Sequence, residues 1–407
     1  MTDREFGLLR LPESVLVGVG TLAALPRTVV ELGRTALVVA DPFVATKPWF
    51  KQALASLAAA GVEATVTTDV VPELPVGEVE RVAEAARAAS PEVVIGIGGG
   101  SALDLAKLVA LLLTHPGPLS TYYGENAVPG PVVPIVAVPT TAGTGSEVTP
   151  VAVVSDPARE LKVGVSSPRL IPRRAIVDPE LALGAPATVT AYAGIDAFVH
   201  AVESFTARRA APDWGTAPPV FVGRNLLSSL LGLEAVHVIG CNLRAAVHEP
   251  FNLPAREAMA YGSLLAGMAF GTGGTHLSHA LQYPVGAATK TPHGLGTGLL
   301  LPYVLDALRP AIEPELLQLG DALAVPPGPG NERSQAVVEA VRALVRDIGV
   351  PGSLAELGVS REQLPRFAEL AEGVTRLVQN SAVAASRELL DTVLDAAWAG
   401  TLSETRN

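Results

Sequence analysis

The sequence predicts an α/β domain built on a Rossmann-like parallel sheet, followed by an all-α C-terminal domain. Three observations carry this. Short runs rich in Val, Ile and Ala alternate with helical stretches through the first half. That cadence of strand, helix and strand requires right-handed crossovers and hence a parallel sheet. Beyond residue 185 the strand signal stops, and segments with helical apolar spacing are separated by Pro and Gly punctuation. The expected domains are therefore 1–184 and 185–407.

Taken in order, strands are expected at 36–41 (ALVVAD), 63–69 (EATVTTD), 92–97 (EVVIGI) and 133–138 (VPIVAV). Helices are expected between them near 47–60, 76–90 and 101–114, each with apolar residues three and four apart. A hairpin follows at 150–156 (PVAVVSD) and around 161–165. In the second half the helical pattern covers segments near 188–206, 223–247, 254–270, 275–282, 296–308, 312–324, 333–348, 361–373 and 381–399. The stretches 206–219 and 325–332 read as loops from their Pro and Gly content.

Composition narrows the function classes. With 49% apolar and 17% charged residues, the chain can bury a large core and is not a disordered segment. A net charge of −11 argues against nucleic acid or an anionic membrane surface as partner. The single cysteine, Cys241, cannot form an intrachain disulfide, which fits a reducing, cytoplasmic location. The first residues, MTDREFGLLRLPES, lack the apolar stretch of a secretory signal, and runs such as LVALLL (108–113) are too short to span a bilayer.

Two loops in the first half carry chemistry. IGIGGGSALDLAK (95–107) leaves a strand through Gly98, Gly99 and Gly100 and opens a helix at Ser101. Consecutive glycines let backbone amides approach a phosphate, and the helix N-terminus adds a favourable field. It is not the usual dinucleotide fingerprint, because Ser101 stands where the last glycine belongs. The plain alternative is a capping box of Ser101 with Asp104 and an i,i+3 pair of Asp104 with Lys107. The second loop, PTTAGTGSEVT (139–149), sets Thr140, Thr141 and Thr144 among small residues, suited to a pyrophosphate or a carboxamide. Asp41 closes a strand where a carboxylate can accept bonds from a ribose diol, or merely begin a turn before Pro42.

The second half holds a different set. In GIDAFVHAVES (194–204), Asp196, His200 and Glu203 fall at i, i+4 and i+7, on one face of a helix. THLSHALQYPVGAATKTPHG (275–294) is expected to end a helix with His279, break at Pro284 and Gly286, and bring in His293 after Pro292. One carboxylate and three imidazoles from separate elements match a four-coordinate divalent metal site. Each histidine taken alone is better read as an ordinary core or surface residue.

These stretches, with K-x-G-x-S-S-P-x-L-x-P at 162–172 and VDPEL at 177–181, resemble the iron-containing (group III) alcohol dehydrogenases over roughly residues 12–400. The resemblance implies a dehydroquinate synthase-like two-domain fold and a homodimer. It implies hydride transfer between NAD(H) and a small alcohol, aldehyde or ketone whose oxygen is held by a divalent metal, Fe2+ or Zn2+. Carried over residue by residue, it makes Asp196, His200, His279 and His293 the metal ligands. It assigns Gly98, Gly99, Gly100, Ser101 and Asp104 to the pyrophosphate turn, Thr140, Thr141 and Thr144 to a second cofactor loop, and Lys162 to cofactor contact. Asp41 takes the place associated with NAD over NADP, and Glu203 is expected to support the ligands. Many members carry a further histidine four residues after the third ligand, as a proton relay. Here that position is Tyr283, a poorer relay at neutral pH because a phenol titrates near ~10 against ~6.5 for imidazole. Tyr283 and His276 are the two candidates for that role, with a surface position the alternative for His276. The rival readings are a dehydroquinate synthase-like lyase using NAD transiently, and a non-enzymatic nucleotide-binding protein of the same fold. A serine hydrolase is excluded by the absence of a G-x-S-x-G elbow.

Overall fold

The structure, a computed structural model, describes residues 5–209 and 212–403. By its internal contacts the chain divides into two units, one of residues Arg10–Leu183 and one of Gly184 onward together with the residues before Arg10.

The first unit holds strands β1 (Ser14–Val17), β2 (Thr35–Ala40), β3 (Glu63–Thr67), β4 (Val93–Gly98), β5 (Gly124–Glu125), β6 (Ile135–Pro139), β7 (Val151–Val154), β8 (Val163–Ser166) and β9 (Arg174–Val177). Its main sheet has the order β1-β9-β6-β4-β2-β3 and is parallel throughout. A smaller sheet pairs β7 with β8 antiparallel, the expected hairpin, and adds β5. The helices are α1 (Leu25–Val30), α2 (Pro42–Ala45), α3 (Pro48–Ala59), α4 (Val76–Arg87) and α5 (Gly100–Thr114). Alternation along β2 explains the layering. Leu37 and Val39 enter one core with α4 and α5, while Ala36, Val38 and Ala40 enter another with α1 and α3. Both faces are covered, so the central strands are apolar without a break. The edge strand β1 and the strand β9 escaped the sequence reading because each is four residues long and lies close to Gly or Pro.

From β2 the chain proceeds to β3 on one side, and β4 then returns to the other. The strand order therefore reverses between β2 and β4, where the crevice beyond the carboxyl ends accepts ligands in such sheets. Asp41 and Gly98 stand at that reversal, and the Asp41 N–H donates to the Ile97 carbonyl at 3.2 Å.

The second unit is helical: α6 (Ala187–Thr206), α7 (Leu226–His248), α8 (Leu253–Gly273), α9 (Leu277–Thr289), α10 (His293–Leu308), α11 (Glu313–Ala322), α12 (Gly330–Asp347), α13 (Leu364–Glu372), α14 (Thr375–Gln379) and α15 (Arg387–Ala399). α6 is buried on every side from Gly194 to Thr206 and packs against α7, α8 and α10. α7 is long and apolar enough to cross a membrane by composition, yet it packs against α6 and α8 and starts with an Asn225–Ser228 capping box.

Three expectations need correction. Residues 5–9 join the helical unit rather than the sheet, because the Phe6 carbonyl accepts the Leu226 N–H at 2.9 Å and Asn225 Oδ1 accepts the Leu8 N–H at 3.3 Å. α9 does not end near His279; it begins at Leu277 and runs through Pro284, which removes only one helical donor. The single helix expected at 381–399 starts only at Arg387, capped by the Ser386 hydroxyl.

Candidate functional site

In the sheet unit, β4 ends at Gly98, whose φ of +157° and closeness to Ala102 exclude a side chain. A Cβ there would lie 2.7 Å from Ala102 Cβ and 3.1 Å from Asp41 Cβ. Gly99 caps α5, and Gly100 and Ser101 form its first turn, so free amides face outward from a helix N-terminus. The 139–149 loop lies against this turn. The Thr140 N–H donates to the Gly98 carbonyl at 2.9 Å, Thr141 lies 3.6 Å from where a Gly99 Cβ would stand, and Thr144 leaves no room for one on Gly100. The structure thus brings Asp41, Gly98, Gly99, Gly100, Ser101, Thr140, Thr141 and Thr144 to one end of the sheet.

Asp104 and Lys162 are placed differently. No capping box forms with Ser101; the Asp104 carboxylate turns inward, accepting from Ser146 Oγ at 2.6 Å and from the Val153 N–H at 3.0 Å. Lys107 is wholly buried, not a surface partner of Asp104, and its Nζ donates to the carbonyls of Thr149 and Val151, each at 2.9 Å. Burial pushes the Lys107 ammonium down to about 8 against the pull of Asp104 and Glu147, and pushes the Glu147 carboxyl up to about 7. Lys162 pairs with Glu73 at 3.0 Å.

In the helical unit, four side chains from three helices converge. His200 Nε2 lies 3.8 Å from Asp196 Oδ2, while His279 Nε2 and His293 Nε2 lie 3.8 and 3.7 Å from Asp196 Oδ1. Donor atoms of Asp196, His279 and His293 fall within 4.8 Å of one another. These separations are too long for hydrogen bonds and suit ligands about 2.0–2.2 Å from a common ion. Close approach of α10 to α6 makes this possible. A Cβ on Gly294 would collide with the Tyr192 carbonyl oxygen and reach within 2.9 Å of Asp196 Cβ, and one on Gly298 would press on Ile195.

Neighbouring groups aim each ligand. His279 Nδ1 donates to Glu203 Oε2 at 2.7 Å, and since a carboxylate only accepts, Nε2 carries the lone pair. His279 Nε2 is buried and has no hydrogen-bond partner among the described residues, as a ligand nitrogen requires. His293 Nδ1 pairs with Gln282 Oε1 at 2.7 Å, and Thr297 Oγ1 donates to Asp196 Oδ1 at 2.9 Å. His200 stacks between the rings of Phe270 and His279, at 4.1 and 4.8 Å. Burial works to raise the Asp196 carboxyl, but the three imidazoles prevail and hold it below the usual range. A carboxylate and three imidazole nitrogens are donor types that Fe2+ or Zn2+ takes, with His279 and His293 facing one oxygen of Asp196 and His200 the other. Asp196, His200 and His279 are buried, while the His293 side chain is 32% exposed, so the cluster opens on that side.

Glu203 also caps α9 from another helix, accepting the N–H groups of His276 at 2.9 Å and Ser278 at 2.6 Å. Burial opposes its ionisation, yet His276 and His279 hold its carboxyl far below the usual range. The surface position considered for His276 is wrong. It is fully buried, its Nε2 bonded to Thr206 Oγ1 at 2.9 Å and its Nδ1 3.3 Å from Glu203 Oε1. Both nitrogens face protein groups, which does not suit a proton relay. Tyr283 lies beside the cluster, its ring 6.3 Å from that of His293. Sequence reasoning missed Gln282 and Thr297, although each stands within one helical turn of a ligand, three residues after His279 and four after His293.

Comparison with known proteins gives concordant results. Residues 12–179 match the family described as iron-containing alcohol dehydrogenase, and residues 190–398 match the C-terminal family of the Fe-containing alcohol dehydrogenases. The chain is 34% identical over 394 residues to sulfoacetaldehyde reductase of Bilophila wadsworthia, covering 94% of this chain and 97% of that one. It is 35% identical over 399 residues to long-chain-alcohol dehydrogenase 1 of Geobacillus thermodenitrificans, covering 95% and 96%. Among solved structures, 1,3-propanediol oxidoreductase superposes with a TM-score of 0.90 at 29% identity, covering 97% of this chain and all of that one. Sulfoacetaldehyde reductase of Bifidobacterium kashiwanohense in complex with NAD+ superposes with a TM-score of 0.84 at 28% identity, covering 97% and 99%.

Proposed function

The chain belongs to the iron-containing alcohol dehydrogenase family, and on that premise we propose which of its residues perform the reaction. It is an NAD-dependent oxidoreductase acting between alcohols and aldehydes. The relatives named above are dehydrogenases and reductases, and the lyase reading gains no support from them.

Asp196, His200, His279 and His293 are the residues that would hold the divalent ion, with iron the expected metal and zinc the alternative. Such an ion supplies Lewis acidity toward the substrate oxygen, which lowers the cost of releasing or accepting hydride. Glu203, Gln282 and Thr297 fix the orientation of the ligands, so that their lone pairs converge before substrate arrives. The buried sides of the cluster exclude water, and the alcohol or aldehyde enters where His293 is exposed. Tyr283, its ring 6.3 Å from that of His293, borders that opening and is the candidate to exchange the substrate's hydroxyl proton.

In the sheet unit, the glycine turn and the α5 N-terminus would take the pyrophosphate of NAD. Thr140, Thr141 and Thr144 offer hydroxyls to the cofactor, and Lys162 meets it from the β8 hairpin. Asp41 accepts from the adenosine ribose and disfavours a 2′-phosphate. The proposal extends to a cytoplasmic homodimer, which light scattering on the purified protein checks.

The observation that carries this reading is the convergence of three imidazole Nε2 atoms on Asp196 at 3.7–3.8 Å. The test is a panel of small alcohols followed by NADH absorbance, on protein of measured metal content. Chelation should abolish turnover, and Fe2+ or Zn2+ should restore it. Undiminished turnover by metal-free protein refutes the assignment.

A further inference from the structure

We propose that Asp104 and Lys107 are positioning residues for the dinucleotide, locking the threonine loop onto the glycine turn without meeting the cofactor themselves. This rests on the reading that the turn and the loop hold NAD.

The two residues stand three apart on α5, the helix that the glycine turn opens; Lys107 is buried, and the half-buried Asp104 turns its carboxylate to the 146–153 stretch. Lys107 is 0% exposed, so no ligand in solvent reaches its ammonium. All their partners belong to one stretch of chain. Asp104 Oδ1 accepts from Ser146 Oγ and Oδ2 from the Val153 N–H; Lys107 Nζ donates to the carbonyls of Thr149 and Val151, and lies 3.4 Å from Thr149 Oγ1. The stretch from 146 to 153 is thereby fixed to α5 at four residues. The loop's other end is held by the Thr140 N–H on the Gly98 carbonyl at 2.9 Å.

Between these anchors lies Thr144, whose Cγ2 stands 2.6 Å from the place a Gly100 Cβ would take. A loop this close to the turn must keep its position to a few tenths of an ångström. Apolar packing could attach a helix to a loop at lower desolvation cost, but it would not fix the direction of a hydroxyl and three backbone groups. A half-buried carboxylate and a buried ammonium do so, each partner having one geometry. Glu147, also buried, is the other acidic group that acts on Lys107 when it is ionised. The outcome is that turn and threonine loop move as one body.

The experiment titrates NADH by fluorescence into the metal-loaded enzyme and its variants Asp104→Asn, Ser146→Ala and the double variant. In Asp104→Asn the negative charge that acts on Lys107 is lost, and the single amide oxygen accepts from only one of the two donors, Ser146 Oγ or the Val153 N–H, so the clamp weakens. The expected result is an NADH Kd raised about tenfold, with KM for NAD+ rising in step, KM for the alcohol and the metal content unmoved, and faster hydrogen exchange across residues 140–153. Ser146→Ala, which keeps both charges, should raise the Kd about threefold, and the double variant should be no worse than Asp104→Asn alone. If Ser146→Ala leaves the Kd unchanged while Asp104→Asn weakens binding, Asp104 meets the cofactor directly and the proposal fails. A lowered Tm in both variants with unchanged Kd marks a purely structural pair and also overturns it. Should Asp104→Asn not fold, Ser146→Ala decides alone. If the unmodified enzyme does not bind NADH, the cofactor reading itself has failed, and that is seen before any variant is made.

Discussion

Glu203→Gln keeps the shape of the side chain and removes its charge, and the hydrogen bonds around it set the expected cost. Oε2 accepts from the His276 N–H at 2.9 Å and from His279 Nδ1 at 2.7 Å, and Oε1 accepts from the Ser278 N–H at 2.6 Å. A glutamine offers one oxygen for these three donors. With that oxygen at the Oε2 place, its NH2 faces the Ser278 N–H; flipped, it faces two donors. The first orientation orphans one buried donor, at about 1–3 kcal/mol, and loss of the charge shared by two imidazoles brings the total to about 2–4 kcal/mol. Because His279 then donates to a neutral amide, its ring is held less firmly and metal affinity should fall about 10–100-fold. The assay measures metal content after dialysis against graded chelator, beside urea unfolding of the metal-free protein. Lower stability with metal affinity within twofold would show that Glu203 only caps α9, and would refute its part in aiming His279.

Three further outcomes are expected. Gly294→Ala should drive the start of α10 away from Tyr192 and Asp196, lowering metal occupancy more than tenfold and stability by about 1–3 kcal/mol; full occupancy by elemental analysis would contradict the close-approach argument. Glu147→Gln should change how stability depends on pH. The folded carboxyl titrates at about 7 against an ordinary 4.5, so its protonated form suits the fold, and the stability it contributes is complete below 4.5 and lost as pH rises through 7. The variant should therefore gain up to about 3 kcal/mol over the unmodified protein between those limits, and a constant difference in urea unfolding would count against it. Tyr283→His should raise alcohol oxidation near pH 7 relative to pH 9, since imidazole exchanges protons at neutrality where a phenol does not; an unchanged ratio of initial rates would remove Tyr283 from the proton path.

The parts of the site that were legible in the chain are those whose chemistry depends on local spacing. Asp196 and His200 stand four apart on an apolar helix, and the glycine run follows a strand, so both could be read without a partner in view. What stayed hidden depends on approach between distant segments. His276 looked like a surface residue because nothing near it in sequence reveals that Glu203, 73 residues earlier, receives its amide and lies beside its ring. Asp104 and Lys107 looked like a helix-surface pair, since i,i+3 spacing is the same whether the face meets water or a loop 42 residues away. The extent of α9 was misjudged at Pro284 because proline weakens a helix by a fixed local cost, while the cap from Glu203 and the packing that offset it are tertiary.

The same distinction explains how the metal cluster is built. Four donors on three helices would ordinarily leave their geometry at the mercy of small shifts between helices. Here each shift is blocked by something other than the ligands. Gly294 and Gly298 bring α10 and α6 together until backbone nearly touches side chain, Glu203 ties the first turn of α9 to α6, and Gln282 joins α9 to the first residue of α10. The three helices are thus linked pairwise in a closed ring, with the ligand atoms facing its centre. Orientation is supplied by the chain, and a bound ion needs only to offset the mutual repulsion of lone pairs and carboxylate. An arrangement of that kind holds its donors in place through repeated turnover, because substrate replaces nothing that keeps the helices together.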